Sequence, residues 1–303
     1  MNFDLGEILT RAFHITWKHK VLWLFSALPV LVGFLIIPIF IIPIFFSGVD
    51  SRGNPVIFEN PIFIVLFIVF NIFISILSFL LYALSASSVT LGILRVEEGS
   101  EILNFQGLFR DGMKYFVRIL GVGLLIGVGI SLVFTAIFFV MALFGIVTMG
   151  IGFICVQPLI ILMYPLMMVL YAFIEQSQAA VVADDMGVTQ AIAKGWELLK
   201  ADFWRLMLIS LIIYLGVGIV TSVILTPFML PFFFLPLLFE TSFFESGPQS
   251  FGLAMIIFML IFLPVLALVQ GVTITFMKSA YVLVYLRLTR TQDNAPILPE
   301  SNA

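Results

Sequence analysis

Charged residues are scarce in this chain of 303 residues, of which Asp, Glu, Lys and Arg make up 10%. An ordinary soluble domain has about 25% charged residues. The scarcity is uneven, because long apolar runs carry no charge at all, at residues 21–49, 60–94, 119–174, 206–239 and 246–277. Each run exceeds the ~20 apolar residues that carry a helix across a bilayer. The composition therefore excludes a soluble enzyme and a disordered chain, and the unbroken runs exclude the alternating strands of a transmembrane β-barrel.

Cysteine and histidine are almost missing as well. Cys155 is the single cysteine, which excludes an intramolecular disulfide and a cysteine metal cluster. The two histidines, His14 and His19, do not share a helix face well and lack the further ligands that a metal site needs. No nucleophile–base pair can be assembled from the apolar runs. We therefore expect no metal, no cofactor and no enzymatic activity, and the net charge of −3 argues against a nucleic-acid partner.

The apolar runs predict an all-α polytopic membrane protein with six transmembrane helices. The run at 119–174 is long enough for two of them, with a tight turn near Gly145–Gly150. The other runs hold one helix each. The six spans are expected at roughly 21–46, 62–93, 118–144, 150–174, 206–230 and 251–277.

The orientation follows from Lys and Arg, which collect in cytoplasmic loops. With six spans, every Lys and Arg except Arg52 falls on one side, and all four tryptophans lie at the boundary of that side. The sequence therefore predicts a multi-pass protein of the prokaryotic plasma membrane with both termini cytoplasmic. Its expected partners are the lipid bilayer and a membrane or cytoplasmic protein, and the pattern favours no particular oligomeric state.

Three cytoplasmic segments share one pattern, which indicates an internal repeat. The third carries an apolar stripe at helical spacing from Ile192 to Phe203, and a shift of 87 residues places this stripe on Phe105–Phe116. A shift of 96 residues carries Phe109 onto Phe13. Helices with one apolar and one basic face lie in the headgroup plane, so we expect three short interfacial amphipathic helices.

The repeat divides the chain without creating separate domains. We expect a single integral membrane domain over 1–303, with parallel repeat units at approximately 1–99, 100–187 and 188–290 and a flexible tail at 291–303. The alternative is that any multi-span protein needs basic connectors flanked by aromatic residues.

The segment 181–207 carries a recognisable pattern, VVADDMGVTQAIAKGWELLKADFWRLM. An acidic pair and a glycine precede an Ala-rich amphipathic helix, and an aromatic–Trp–Arg run then enters a span. The residues are Asp184, Asp185, Gly187, Ala191, Trp196, Lys200, Phe203, Trp204 and Arg205. With the closing Tyr285-Leu286-Arg287, the pattern resembles a broad group of prokaryotic multi-span proteins. That group is related to the membrane domain that accompanies some glycerophosphodiester phosphodiesterases. The resemblance implies fold and membrane location, but not the phosphodiesterase activity, which belongs to a separate soluble domain.

A few polar side chains lie in or beside the predicted spans. Asn71 begins a polar stripe in the second span, Gln157 precedes a proline in the fourth, and Gln270 lies in the sixth. Such residues are candidates for a functional site, and helix packing through hydrogen bonds is the alternative. Lys278, near a cytoplasmic end, is expected to extend to the headgroups. No Asp or Glu falls inside a predicted span, which argues against a transporter driven by a buried carboxylate.

Glycines in the third and fifth predicted spans indicate close helix packing. Gly121 and Gly127 lie in the third span, and Gly216 and Gly218 lie in the fifth. Because glycine has no side chain, we expect helices to approach each other there, either within the chain or between chains.

Prolines interrupt the outer ends of two predicted spans. Pro38 and Pro43 follow each other in the first span, and Pro227 and Pro231 do so in the fifth. Prolines at such spacing are expected to break a helix, and broken helices at corresponding repeat positions are typical of transporter sites. The surrounding Phe, Ile and Leu would suit an apolar ligand. The alternative is a pair of kinked ends that pack irregularly.

The sequence thus favours one function and keeps a second open. The favoured function is that of a non-enzymatic integral membrane protein, a scaffold or partner-binding protein or a component of membrane homeostasis. The alternative is a passive or partner-driven transporter of a lipid-like or apolar small molecule, and it depends on the proline-rich ends.

Overall fold

The computed structural model describes residues 5–36, 39, 57, 60–100, 102–148, 150–238 and 248–293, and for 151–162, 231–238, 248–255 and 290–293 it describes the backbone alone. These residues form eight α-helices and no β-strand, which confirms the all-helical prediction. The helices are α1 (Leu5–Lys18), α2 (Val21–Phe34), α3 (Pro61–Glu97), α4 (Phe105–Val147), α5 (Ile151–Ala183), α6 (Val188–Ala201), α7 (Phe203–Leu238) and α8 (Pro248–Asp293).

Five described helices are long and apolar enough to cross a membrane. They are α3, α4, and parts of α5, α7 and α8. α2 is apolar but has only 14 residues, and residues 37, 38 and 40–46 of the first predicted span lie outside the described residues. Outward-facing side chains of α3 and α4 are apolar, as at Leu66 and Phe139, which are 62% and 64% exposed. Such surfaces suit hydrocarbon surroundings. The sixth span stays a prediction.

Glycine and residues with short polar side chains mark the ends of the helices. Gly99, with a left-handed φ of +96°, follows the end of α3, a position that favours glycine. Asn104 starts α4, because its side chain accepts a hydrogen bond from the backbone N–H two residues on. Gly150 (φ +94°) separates α4 from α5, so the expected tight turn is confirmed. α5 stops just before Asp185 (φ +51°), and Gly187 caps the start of α6 instead of ending α5.

The prediction of three separate surface helices is wrong for the second one. α1 and α6 are separate helices of 14 residues each, but the second segment forms the first turns of α4, which continues for 43 residues. The reason is local: residues 114–120 contain no glycine or proline. α6, by contrast, ends at Asp202, a residue type whose side chain competes with helical backbone bonds.

The proline break predicted in the fifth span is also wrong. α7 is helical from Phe203 to Leu238, through both Pro227 and Pro231. Each proline removes only one backbone hydrogen bond, and long membrane helices tolerate that loss. Thr226, next to Pro227, donates its hydroxyl to the Ser222 carbonyl at 2.6 Å. The other proline pair, Pro38 and Pro43, lies outside the described residues.

Contacts group the chain into two compact units. The first unit comprises residues 1–19, 86–215 and 276–303, and the second comprises 20–85 and 216–275. In the second unit, the Ser26 and Thr275 hydroxyls lie 2.9 Å apart. A Cβ on Gly271 would lie 2.8 Å from the Trp23 carbonyl oxygen, so α2 and α8 approach closely there. The first unit holds nearly all of the charged side chains and is described next.

Candidate functional site

The first unit contains a buried ion pair between α5 and α8. The Lys278 ammonium lies 2.9 Å from both carboxylate oxygens of Glu175 and 3.2 Å from the Gln178 amide oxygen. The Lys278 and Glu175 side chains are 0% and 1% exposed. Removing two charges from water is costly, and the cost is offset only when the pair has good geometry and further hydrogen bonds. The three acceptor oxygens around one ammonium meet that requirement.

This pair corrects the prediction for Lys278. Its side chain does not extend to the headgroups, because it is fully enclosed and paired with Glu175. Glu175 was not among the candidate residues, since it directly follows the predicted end of the fourth span. One signal could have found it: an acidic residue and a lysine, each just past an apolar run, occupy the ends of two spans that terminate on the same side.

Further polar contacts join the same two helices. Gln176 donates its amide N–H to the Tyr281 carbonyl at 3.3 Å, and the Tyr285 hydroxyl donates to the Asp184 carboxylate. The Tyr281 ring packs edge-on against Tyr171 at 5.7 Å. The contacts run from Lys278 to Tyr285, about two turns of α8, so α5 and α8 are held in one register.

Several buried polar atoms beside the ion pair have no protein partner among the described residues. They are the Gln176 amide oxygen, the Gln178 amide nitrogen and the Ser279 hydroxyl. Native proteins rarely leave such atoms unsatisfied without water or another small molecule nearby. The surroundings of the pair are therefore polar, although closely packed.

Two glycines bring helices into close contact in this unit. A Cβ on Gly195 of α6 would lie 2.2 Å from the Ser177 hydroxyl oxygen, and a Cβ on Gly112 of α4 would lie 2.5 Å from that of Ser88. Neither site has room for a methyl group. Within the chain, the packing prediction for the glycines inside the spans is confirmed for Gly121, which lies against Val188. At Gly127, Gly216 and Gly218 a Cβ would meet nothing within 4 Å among the described residues. For these three glycines, packing between chains stays a prediction.

Ion pairs at the helix ends connect α1 to its neighbours. Arg11 pairs with Glu97 of α3 at 2.8 Å, and Glu7 pairs with Arg287 of α8. Arg95 of α3 forms an ion pair with Asp111 of α4. These side chains are partly exposed, so each pair contributes only about 0–1 kcal/mol.

The structure does not bring the predicted site residues together. Asn71 donates an amide N–H to the Phe67 carbonyl of its own helix at 2.9 Å. Gln270 is half-buried and Pro227 is exposed. No hydrogen bond of the described part joins Asn71 to Gln270. Gln157 and Pro231 lie in described helices, but their side chains are outside the description. Pro38 and Pro43 lie outside the described residues.

The chemistry available to this site is that of holding helices together. In the described ranges, no three His, Cys, Asp or Glu side chains converge as metal ligands. Glu175 and Lys278 are enclosed and bonded to each other, so neither carries a proton to or from an outside molecule in this arrangement.

Comparison with known proteins adds no relative. No family model, curated protein or solved structure matches the chain. The resemblance to the membrane domain of glycerophosphodiester phosphodiesterases therefore stays a prediction from the residues.

Proposed function

We propose that the chain is a non-enzymatic integral membrane protein of the prokaryotic plasma membrane that acts as a scaffold or as a component of membrane homeostasis. One observation carries this proposal: the acidic and the basic side chain buried most deeply in the described residues, Glu175 and Lys278, bind each other. An enzyme or an ion-coupled transporter needs such groups to face a substrate path. Here they stabilise a packed helix bundle.

The distribution of charge supports six spans with both termini in the cytoplasm. Every Lys and Arg except Lys20 and Arg52 belongs to the first unit. The exposed indoles of Trp17, Trp196 and Trp204 belong to it as well. Basic and indole side chains mark the cytoplasmic membrane boundary, so we assign the first unit to that boundary.

Matching positions in three helices support the threefold parallel repeat. Counted from the helix start, the fourth residue of α1, α4 and α6 is buried in every case. The eighth residue is also buried and always small: Ala12, Gly112 and Gly195. The starts of α4 and α6 are 83 residues apart, so the repeat register differs by about one helical turn from the shift of 87 residues.

The exposed face of the first unit is suited to protein partners. Arg110 and Lys114 of α4 have side chains that are 83% and 72% exposed, and Glu197 of α6 is 61% exposed. Charged, exposed residues on a rigid helix give a partner both orientation and specificity. The alternative, a transporter of apolar molecules, loses one of its two supports because α7 is unbroken at Pro227 and Pro231.

Site-specific photocrosslinking in native membranes tests the scaffold. A benzoylphenylalanine is placed singly at Arg110, Lys114 or Glu197, and control probes replace Val133 and Phe139 on the apolar face of α4. We expect discrete protein adducts from the charged face and lipid adducts alone from the control positions. Lipid adducts alone from all five positions would contradict the scaffold.

A further inference from the structure

One cavity of the first unit is lined mainly by nitrogen-bearing side chains. It has a volume of about 190 Å³ and lies between the last turns of α1 and the end of α3. Arg11, His14, Lys18 and His19 line it on one side, and the turn at Gly99–Ser100 lines it on the other. Neither the buried ion pair nor the glycine contacts involve these residues. We call it the α1 cavity.

Positive charge accumulates at the α1 cavity. Arg11, His14 and Lys18 follow at helical spacing and therefore share one face of α1. His19 is 7% exposed. Its pKa is lowered from 6.5 by burial first and then by Lys18, His14 and Arg11 on α1. Glu97 offsets part of the charge through its ion pair with Arg11. Burial and nearby positive charge both disfavour the protonated form of an imidazole.

Aromatic residues on the next face of α1 place the cavity at the membrane surface. Phe13 and Trp17 are each 58% exposed, and their rings stack at 5.8 Å. Exposed aromatic side chains on an amphipathic helix insert at the level of the lipid headgroups. The cationic face of the same helix then lies at the depth of the lipid phosphates.

We propose that the α1 cavity binds a phosphate group, carried by the headgroup of an anionic phospholipid of the cytoplasmic leaflet. The cavity volume of about 190 Å³ is well above the ~10–15 Å³ that a single water needs, which leaves room for a phosphate. A guanidinium and an ammonium are the side-chain groups that bind phosphate best. The inference goes beyond the scaffold function, and neither depends on the other.

Native mass spectrometry of the full chain in detergent, titrated with phosphatidylglycerol or phosphatidylcholine, tests the proposal. We expect one phosphatidylglycerol to bind before any phosphatidylcholine. Each basic group near a membrane surface is worth about a fivefold change in affinity. Arg11→Gln with Lys18→Gln should therefore weaken phosphatidylglycerol binding about 30-fold. The matched control, Arg110→Gln with Lys114→Gln, removes the same charge from α4 and should leave binding unchanged.

Equal weakening by both double variants would overturn the α1 cavity as a site, because general attraction would then explain the binding. Since Arg11 also pairs with Glu97, Lys18→Gln alone provides a milder variant, with an expected loss of about fivefold. Nitrogen NMR of His19 gives an independent readout: the bound anion should raise its pKa, and no change would contradict the proposal. Displacement of the lipid by inorganic phosphate would show that the phosphate group alone suffices. Retention of the lipid would show that the glycerol-linked group is recognised.

Discussion

The Glu175–Lys278 pair illustrates how a buried charge acts at the scale of single residues. Each charge would be unstable alone in this enclosed interior, so each one requires the other. Removing one partner leaves an uncompensated buried charge, whereas removing both leaves a neutral, packed contact. The pair therefore makes the register between α5 and α8 sensitive to single substitutions and tolerant of a matched double substitution.

A double-mutant cycle on the pair measures this dependence. We expect Lys278→Met alone to lower the free energy of unfolding by about 3–5 kcal/mol, because Glu175 stays buried without its partner. Adding Glu175→Gln should restore at least half of the loss, since both remaining groups are neutral. Unfolding in mixed detergent micelles, followed by circular dichroism, provides the measurement. Equal losses in the single and double variants would contradict a coupled pair.

The sequence can mark Glu175 and Lys278 as candidates but does not establish that they pair, because pairing depends on which spans are neighbours. Composition shows that Lys278 and Glu175 lie at the ends of apolar runs, but it carries no information on whether α5 and α8 touch. The sequence likewise does not show whether the Asn71 amide bonds to its own helix or to a neighbouring helix; in the structure it bonds to its own helix.

At the scale of helices, periodicity predicts where each element lies better than where it ends. The apolar runs predict five membrane-length helices that the structure contains, and Gly150 separates two helices as expected. Two errors have different origins. An expected surface helix merged into α4 because residues 114–120 contain no glycine or proline. α7 continued through its prolines because a helix in lipid continues unless its backbone groups find other partners.

Gly195 and Gly127 provide a matched pair for testing helix contact. Gly195→Ala should destabilise the protein by about 1–3 kcal/mol, because the new methyl group would overlap the Ser177 hydroxyl. Gly127→Ala adds the same methyl group in open space and should be neutral or slightly stabilising. Thermal unfolding in detergent, with each variant beside the unaltered chain, gives the comparison. Equal melting temperatures for the two variants would show that α5 and α6 do not pack as described.

At the scale of the whole molecule, the repeated segments pack through contacts between a small residue and a serine. Gly112 of α4 lies against Ser88 of α3, and Gly195 of α6 lies against Ser177 of α5. In each case the segment packs on the end of the preceding long helix. If the repeat is cyclic, α1 packs in the same way on α8, and its small residue Ala12 meets a serine there.

We predict that this serine is Ser279. Ile8 and Leu283 line one cavity together, and the ion pair of Glu7 joins α8 beside them. One turn further along α1 from Ile8 is Ala12, and one turn back along α8 from Leu283 is Ser279. Both Ala12 and Ser279 are fully buried. The threefold repeat therefore predicts that Ala12 lies against Ser279, which would join the two ends of the chain.

Disulfide formation tests this closure directly. In a Cys155→Ser background, Ala12→Cys with Ser279→Cys should form an intrachain disulfide under mild oxidation. The reason is that the threefold repeat places these two positions in the third contact between a small residue and a serine. Peptide mass spectrometry and a reducible shift in gel mobility detect the bond. The control, Ala12→Cys with Ser88→Cys, should stay reduced, since Gly112 already occupies the surface of Ser88. If the control pair forms a bond and the test pair does not, α1 lacks the contact that α4 and α6 make, and the threefold repeat is wrong.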